Sequence, residues 1–376
     1  MEMLIYAFLV SLLSSGLIVL SSTFHGHFTN DLDFHSVQKF HVQPVPRVGG
    51  LALLAALFIV WLLRDQKMPQ DSIVELGWLL PAGLPIIFVG LLEDVTKKIP
   101  ARLRLYVSLL SAALVYFFVN IYFARIDCAL LDNMIVALPV VSFVMTLLVI
   151  AGTIHAMNMI DGFNGLMLGV SLTMFAGIAL VSHAVDDTLV LDIALICIGA
   201  IAGLFVVNFP LGKIFAGDGG AYLIGFLLST TVLMLVQRNK EVSAWFPCLL
   251  ISYPLFETLF SIYRKVFLRK IPAMRPDGLH FHMLVYKRIT RHQQWMRKWM
   301  NNSMTSPYLW LLALIGIVPA ILFWNNTILI SLSCAFFFVF YLIIYWYLVF
   351  FKDQLFFLRF LKFFNINKKE VIEESI

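Results

Sequence analysis

Eleven nearly unbroken apolar runs, near 3–22, 48–63, 77–92, 103–124, 134–153, 165–183, 188–207, 219–236, 242–262, 307–324 and 327–351, constrain this chain more than any other feature. A helix needs about 20 mostly apolar residues to cross a bilayer. Inside the bilayer only helices and closed barrels satisfy their own backbone polar groups. The runs predict an all-α, polytopic integral membrane protein with about 11 transmembrane helices, or 10, since 48–63 and 77–92 are short for full crossings. Composition agrees: 61% of residues are hydrophobic, 13% are charged, and the mean hydropathy is +0.89. The leading "MEM" carries no positive charge and no small-residue cleavage site follows the first run, so 3–22 reads as a span and not as a signal peptide.

Lys and Arg concentrate in cytoplasmic loops. With a periplasmic N-terminus and a cytoplasmic C-terminus, the inner loops and tail would hold 22 of the 27 basic residues and the outer side five. The net charge of +5 is thus a topology signal and calls for no nucleic acid. Cys128, Cys197, Cys248 and Cys334 are scattered and suggest neither a disulfide framework nor a cysteine metal site. We expect one transmembrane catalytic domain over 1–352 and a cytoplasmic interfacial tail over 353–376. In that tail "LFFLRFLKFF" (355–364) reads as a membrane-surface helix.

Five polar, glycine-bearing stretches interrupt the apolar pattern: "HVQPVPRVGG" (41–50), "GLLEDVTKKI" (90–99), "HAMNMIDGFNGL" (155–166), "NFPLGKIFAGDGGA" (208–221) and "RPDGLHFHMLVYKR" (275–288). All fall on the same inner side, as a single site built from several loops would. Capping of helix ends is the alternative for any one of them. Yet Glu93, Asp94, Asp161, Asp218 and Asp277 would gather at the edge of a low-dielectric medium, where acids repel unless a cation lies between them.

In "FAGDGGA", Asp218 stands among Gly217, Gly219 and Gly220 just before a span, where backbone amides and a helix start can approach a phosphate. Such an acid suits Mg²⁺, which takes few carboxylates and completes its shell with substrate phosphates. Lys213 with Gly212 lacks the spacing of a P-loop. Asn158 and Asp161 are three apart and share a helix face; Gly162 and Gly165 can turn the chain there while Asn164 points to the same side. Of adjacent Glu93 and Asp94, one would reach the metal or nucleophile and the other would fix its orientation. His280 and His282 face the same way if extended and could donate together to phosphate oxygens, backed by Arg275 and Arg288. A zinc pair would need a further distant ligand.

In this order and at these spacings the stretches resemble the polyprenyl-phosphate N-acetylhexosamine-1-phosphate transferases, most specifically through "NMIDGFNGL" and "FAGDGGA". The resemblance runs from about 38 to 288 and is nearest to the branch that starts O-antigen, common-antigen or capsule chains. It implies Asp218 as magnesium ligand with Asn158 as a second, and Mn²⁺ as a substitute cation. It also implies Phe215 against the uracil ring, Asn208 as a site asparagine, Asn164 at the nucleobase, and His280 and His282 near the diphosphate. The family usually has an Asp pair where this chain has Glu93–Asp94, which favours Asp94 as base or phosphate-orienting group. His155 stands where Asn is common and receives no role.

The implied reaction moves a sugar 1-phosphate from a UDP-acetamido sugar to undecaprenyl phosphate, with UMP leaving, at the cytoplasmic face of a bacterial plasma membrane. The catalytic candidates are Asp94, Glu93 and Asp161. The substrate candidates are Asn164, Asn208, Phe215, His280, His282, Arg275 and Arg288. Partners are the nucleotide sugar, the lipid phosphate and the membrane; a homo-oligomer is compatible with the sequence. The rival from another class is a secondary transporter, which would place polar groups near mid-span with access from both faces.

Overall fold

The computed structural model describes residues 1–31, 44–67, 70–272, 277–291 and 300–350. The expected tail helix at 355–364 and the candidate Arg275 lie outside the described residues. Among these residues the only strands are β1 (Asn30–Asp31) and β2 (Val45–Pro46), an antiparallel pair. The rest is helical: α1 (Glu2–Leu20), α2 (Ser22–Thr29), α3 (Gly50–Lys67), α4 (Gln70–Thr96), α5 (Ala101–Leu114), α6 (Ala129–Ala137), α7 (Pro139–Ile160), α8 (Leu166–Ala184), α9 (Thr188–Asn208), α10 (Gly217–Arg238), α11 (Phe246–Leu250), α12 (Ser252–Tyr263), α13 (Phe281–Val285), α14 (Met300–Ser303), α15 (Ser306–Leu322) and α16 (Thr327–Val349).

Among the described residues eight helices are long and apolar enough to cross a membrane, and Gly50–Leu63 and Ser306–Leu322 are shorter apolar helices. The run at 242–262 was expected as one span but is two helices, α11 and α12, joined at Ile251. Pro254 explains the break. It has no N–H for the Leu250 carbonyl, and its ring crowds that turn.

The bundle is organised around α10. Its apolar window is wholly buried, whereas that of α1 is 17% buried, so α10 is the axis and α1 lies at the rim. Sequence explains the position: Gly219, Gly220, Ala221 and Gly225 let neighbouring backbones close in, with Gly50 against Gly220 and Ile154 against Gly225. Ser229 and Thr230 turn their hydroxyls back to Gly225 O and Phe226 O of the same helix, so they need no outside partner. Packed on α10 are α3, α4, α7, α8 and α9.

Chain direction then places the polar stretches. The C-terminal ends of α4, α7 and α9 and the N-terminal ends of α3, α5, α8 and α10 meet at one end of the bundle. Residues 46–50 are stitched to the segment before α10: Phe215 N–H donates to Pro46 O, Gly49 N–H to Phe215 O, and Gly50 N–H to Ala216 O, each at 2.9 Å. This pairing brings Arg47 to the start of the central helix.

Candidate active site

The site is built on the first turn of α10. Gly217 has φ +74°, and a Cβ there would strike the Arg47 carbonyl and Asp94 Oδ2, so only glycine fits this turn. The next residue, Asp218, is 3% exposed. Its Oδ1 accepts from Arg47 Nη2 at 2.5 Å, and its Oδ2 accepts from Arg104 Nη1 at 2.5 Å and Tyr222 Oη at 3.3 Å. Two guanidiniums from separate segments thus converge on one carboxylate. Sequence reading had counted Arg47 and Arg104 only as topology charges. The signal for Arg47 was its place in the polar stretch 41–50.

Asp94 and Glu93 diverge, as adjacent helical residues must. Asp94 is fully buried; its Oδ1 accepts the Asp218 N–H at 2.7 Å and its Oδ2 the Gly219 N–H at 2.9 Å, while Arg47 Nε lies 3.2 Å away. A carboxylate against free N–H groups at a helix start is favoured by hydrogen bonding and by the helix dipole. With both oxygens engaged, Asp94 is not poised as a base; it clamps the α10 start and fixes Arg47. Glu93 turns away, and its Oε2 accepts the Ile99 N–H at 2.7 Å, closing the turn after α4. Asp277 also leaves the expected acid cluster, being buried between Arg264 (2.6 Å) and Arg269 (2.9 Å). Burial pushes its carboxyl up, but the two arginines outweigh that and leave it below the ordinary range.

Asp161, just past the end of α7, is half-buried and makes no side-chain hydrogen bond among the described residues. Burial raises its pKa to about 7; Arg47 opposes the rise and Asp218 adds to it. Asn158 is half-buried in the last turn of α7. Because Ile154 lies against Gly225 and His155 packs edge-on to Tyr222 at 5.7 Å, the antiparallel register carries Asn158 to the level of Asp218. His155 Nε2 meets Ser108 Oγ at 3.2 Å, one helical turn from Arg104.

Two asparagines expected at the substrate are joints in the structure. Asn208 Oδ1 accepts the Gly165 N–H at 2.6 Å and its Nδ2 donates to Ile214 O at 2.6 Å, tying the 161–165 turn to the loop before α10. Asn164 is buried, with Nδ2 on Ser303 Oγ at 3.1 Å and its N–H on Asn302 Oδ1 at 2.9 Å; its own Oδ1 has no partner among the described residues. Gly165 supplies the turn with φ +73°. Phe215 is half-buried, and its backbone forms part of the stitching described above.

The histidines come together although the segment is not extended throughout. His280 is extended just before α13 and His282 lies within it, yet their rings stack at 5.4 Å and 5°. His282 Nε2 would stand 3.1 Å from a Cβ on Gly162, so this pair borders the Asp161 turn. Burial, with His280 adding and Glu257 opposing, depresses His282 to about 3. His282 is therefore neutral at physiological pH and offers a single N–H. Arg288 is half-buried, and its Nε lacks a partner among the described residues.

The donor chemistry fits a hard cation. Among the described residues no group of three or more His, Cys, Asp or Glu side chains could hold a metal. Magnesium does not need one, because it binds through one or two carboxylates together with water and substrate phosphates. Oxygen donors of that kind are present at Asp218 and Asn158, and the two guanidiniums on Asp218 mark where positive charge is wanted.

The sequence pattern of the family described as "Glycosyl transferase family 4" matches residues 76–236, the stretch that carries Asp94, Asp161 and Asp218. A Bacillus subtilis (strain 168) protein named "Probable undecaprenyl-phosphate N-acetylglucosaminyl 1-phosphate transferase" is 27% identical over 357 residues, covering 91% of this chain and 90% of that one. Proteins of Yersinia pestis and Escherichia coli (strain K12), both named "Undecaprenyl-phosphate alpha-N-acetylglucosaminyl 1-phosphate transferase", are 28% and 27% identical, each alignment covering 68% of this chain and 69% of the relative. The matched stretch carries all three site carboxylates, and the chain is similar to the Bacillus subtilis relative along most of its length.

Proposed function

We propose that this protein transfers N-acetylglucosamine 1-phosphate, or the 1-phosphate of a related acetamido sugar, from its UDP-sugar to undecaprenyl phosphate, releasing UMP. The step would initiate a cell-surface polysaccharide such as O-antigen, common antigen or capsule. One observation carries the reading: Asp218, at the start of the most buried helix, is gripped by Arg47 and Arg104 at the polar end of a membrane bundle. The names of the relatives support the same chemistry. The charge asymmetry supports eleven crossings, a periplasmic N-terminus and a cytoplasmic site in a bacterial plasma membrane.

Phosphoryl transfer asks a protein mainly for positioning and charge stabilisation. Asp218 and Asn158 would hold Mg²⁺, which when bound neutralises phosphate oxygens. Arg47 and Arg104 reach the same spot and can donate to the diphosphate, and neutral His282 adds one N–H from the other side. The lipid phosphate enters laterally from the leaflet, its oxygen attacks the β-phosphorus of the UDP-sugar, and UMP leaves. A phosphate monoester has its second pKa near 6. With a pKa raised to about 7, Asp161 can take the remaining proton from the attacking phosphate. Asp94 holds the α10 start and Arg47 in place throughout.

The test is transfer of label from UDP-GlcNAc to undecaprenyl phosphate by the purified full chain, with UMP release that depends on Mg²⁺ or Mn²⁺. A parallel panel of UDP-GalNAc and 6-deoxy acetamido sugars identifies the donor. If none of these donors is consumed in the presence of lipid phosphate and metal, the proposal is wrong.

A further inference from the structure

Buried behind the histidines is an acid that the reaction above does not use. Glu257, in α12, is fully buried. Its Oε1 faces His280 Nδ1 at 2.9 Å, its Oε2 accepts the Tyr341 hydroxyl at 2.9 Å, and the Phe281 N–H donates to Oε2 at 3.1 Å. Three groups from two other segments thus converge on one carboxylate within an apolar run. A buried carboxylate can only accept hydrogen bonds, so the His280 nitrogen facing it must carry the proton. His280 is buried, and its Nε2 makes no hydrogen bond among the described residues. The stacked His282 carries the same face of the pair to Gly162, beside Asp161.

We propose that Glu257 is a positioning residue for the transfer: together with Tyr341 of α16 it locks the ring of His280 with Nδ1 protonated and turned inward, leaving the Nε2 lone pair to accept a hydrogen bond from an O–H group of the substrate. This rests on the phosphoryl-transfer reading given above. It makes α16, which lies outside the matched stretch 76–236, part of the machinery. The charged and titratable groups around His280 are Glu257 on α12, Tyr341 on α16, His282 on α13, and Asp277 with its partner Arg264 in the loop between α12 and α13. Among the described residues only Glu257 hydrogen-bonds its ring.

The experiment uses the purified full chain and its Glu257→Gln, Tyr341→Phe, His280→Ala and Glu257→Gln/His280→Ala forms. Transfer from UDP-GlcNAc gives kcat and KM, and ¹⁵N-histidine spectra, with His280→Ala as the assignment control, give the His280 tautomer. Supporting groups behind a site residue are typically worth about 10- to 100-fold in activity. We expect that loss in kcat for Glu257→Gln, a smaller one for Tyr341→Phe, little change in either KM, and a double variant no worse than His280→Ala alone. The wild-type His280 should be protonated at Nδ1, and Glu257→Gln should mix the tautomers. Multiplying losses in the double variant, a wild-type kcat in Glu257→Gln, or a wild-type His280 protonated at Nε2 would each overturn the proposal. The spectra read the tautomer even if UDP-GlcNAc is not the donor, so failure of the proposal is distinguishable from failure of the reading beneath it. If Glu257→Gln does not fold, Tyr341→Phe carries the same tautomer test.

Discussion

The two ends of the helix bundle use the same chemical groups in opposite ways. At the end away from the site, Asp127 takes Arg125 on one oxygen and the Ala244 N–H, Thr327 hydroxyl and Ser243 hydroxyl on the other. Asp187 takes the Val190 N–H on Oδ1 and Arg238 with Asn239 on Oδ2. Arg125 itself fans out to the carbonyls of Asn239, Lys240 and Val242. These carboxylates cap helix ends and knot connections together. At the site end the Asp218 carboxylate meets only side chains, and the Asp161 carboxylate makes no hydrogen bond among the described residues. A backbone N–H on the carboxylate marks an acid that ties the fold together; a carboxylate met by side chains alone, or by none, is one that a ligand can engage.

The sharpest way to break this comparison is Asp218→Asn. It keeps the shape and removes the charge that Arg47 and Arg104 answer. Loss of one preorganised electrostatic contact at a reacting phosphate typically costs about 10²- to 10³-fold in kcat. We expect at least that in the transfer assay, together with a lower thermal unfolding midpoint, because the buried carboxylate pairs with two guanidiniums. Retained activity would remove Asp218 from the metal and phosphate site.

Asp94 sharpens the comparison because it lies at the site end yet is saturated like the far-end acids. Asp94→Asn should therefore lose stability as well as activity. Breaking a buried ion pair costs about 3–5 kcal/mol. The lower end applies here, since Arg47 keeps 24% of its side chain exposed. A drop in the unfolding midpoint accompanied by a fall in kcat is the expected pattern. Full stability with lost activity would instead return Asp94 to the role of base.

How much of this could be read beforehand follows the same division. The apolar runs were legible because a bilayer forces each crossing to bond its own backbone. The Gly–Asp–Gly turn and the Asn158–Asp161 pair were legible because their polarity has no other purpose between apolar helices. Hidden were relations that exist only after folding. Nothing in 46–50 announces that it pairs with 215–216, so Arg47 looked like a loop charge. That Asn164 and Asn208 tie the 161–165 turn to other loops was hidden too, because an amide that joins two backbone loops has the same spelling as one that reads a base. Glu257, a lone acid in an apolar run, was a signal passed over, since an ionisable group at such a place is rarely idle.

The pH response separates the ends further. Burial raises Asp161 to about 7, so its proton is lost as pH climbs through neutrality, and only then can it accept one from the lipid phosphate. Transfer should rise across that window, and Asp161→Asn should flatten the limb with a loss of about 10²-fold, the lower range for a general base. For stability the sign is reversed: folding favours the protonated acid, so lowering pH through 7 does not weaken the fold through this group. A wild-type pH limb in Asp161→Asn would exclude it as the proton acceptor.

Asp127 should do the contrary. Burial pushes its carboxyl up, but the Ala244 N–H, the Thr327 hydroxyl and Arg125 together hold it below the ordinary carboxylate value. A depressed acid stabilises the fold above its unfolded pKa and loses that contribution as pH falls through the folded value. At pH 7 its contribution is fully present, and it fades only below about pH 4, the reference range for Asp. Asp127→Asn should therefore lower the unfolding midpoint at pH 7 by the equivalent of about 1–2 kcal/mol. It should also shrink the acid-induced drop seen in the wild type. Transfer per folded molecule should stay unchanged, because the knot ties α11 and α16 at the end remote from Asp218. If kcat falls while the midpoint holds, the far end is coupled to the chemistry, and the division between saturated and open carboxylates fails.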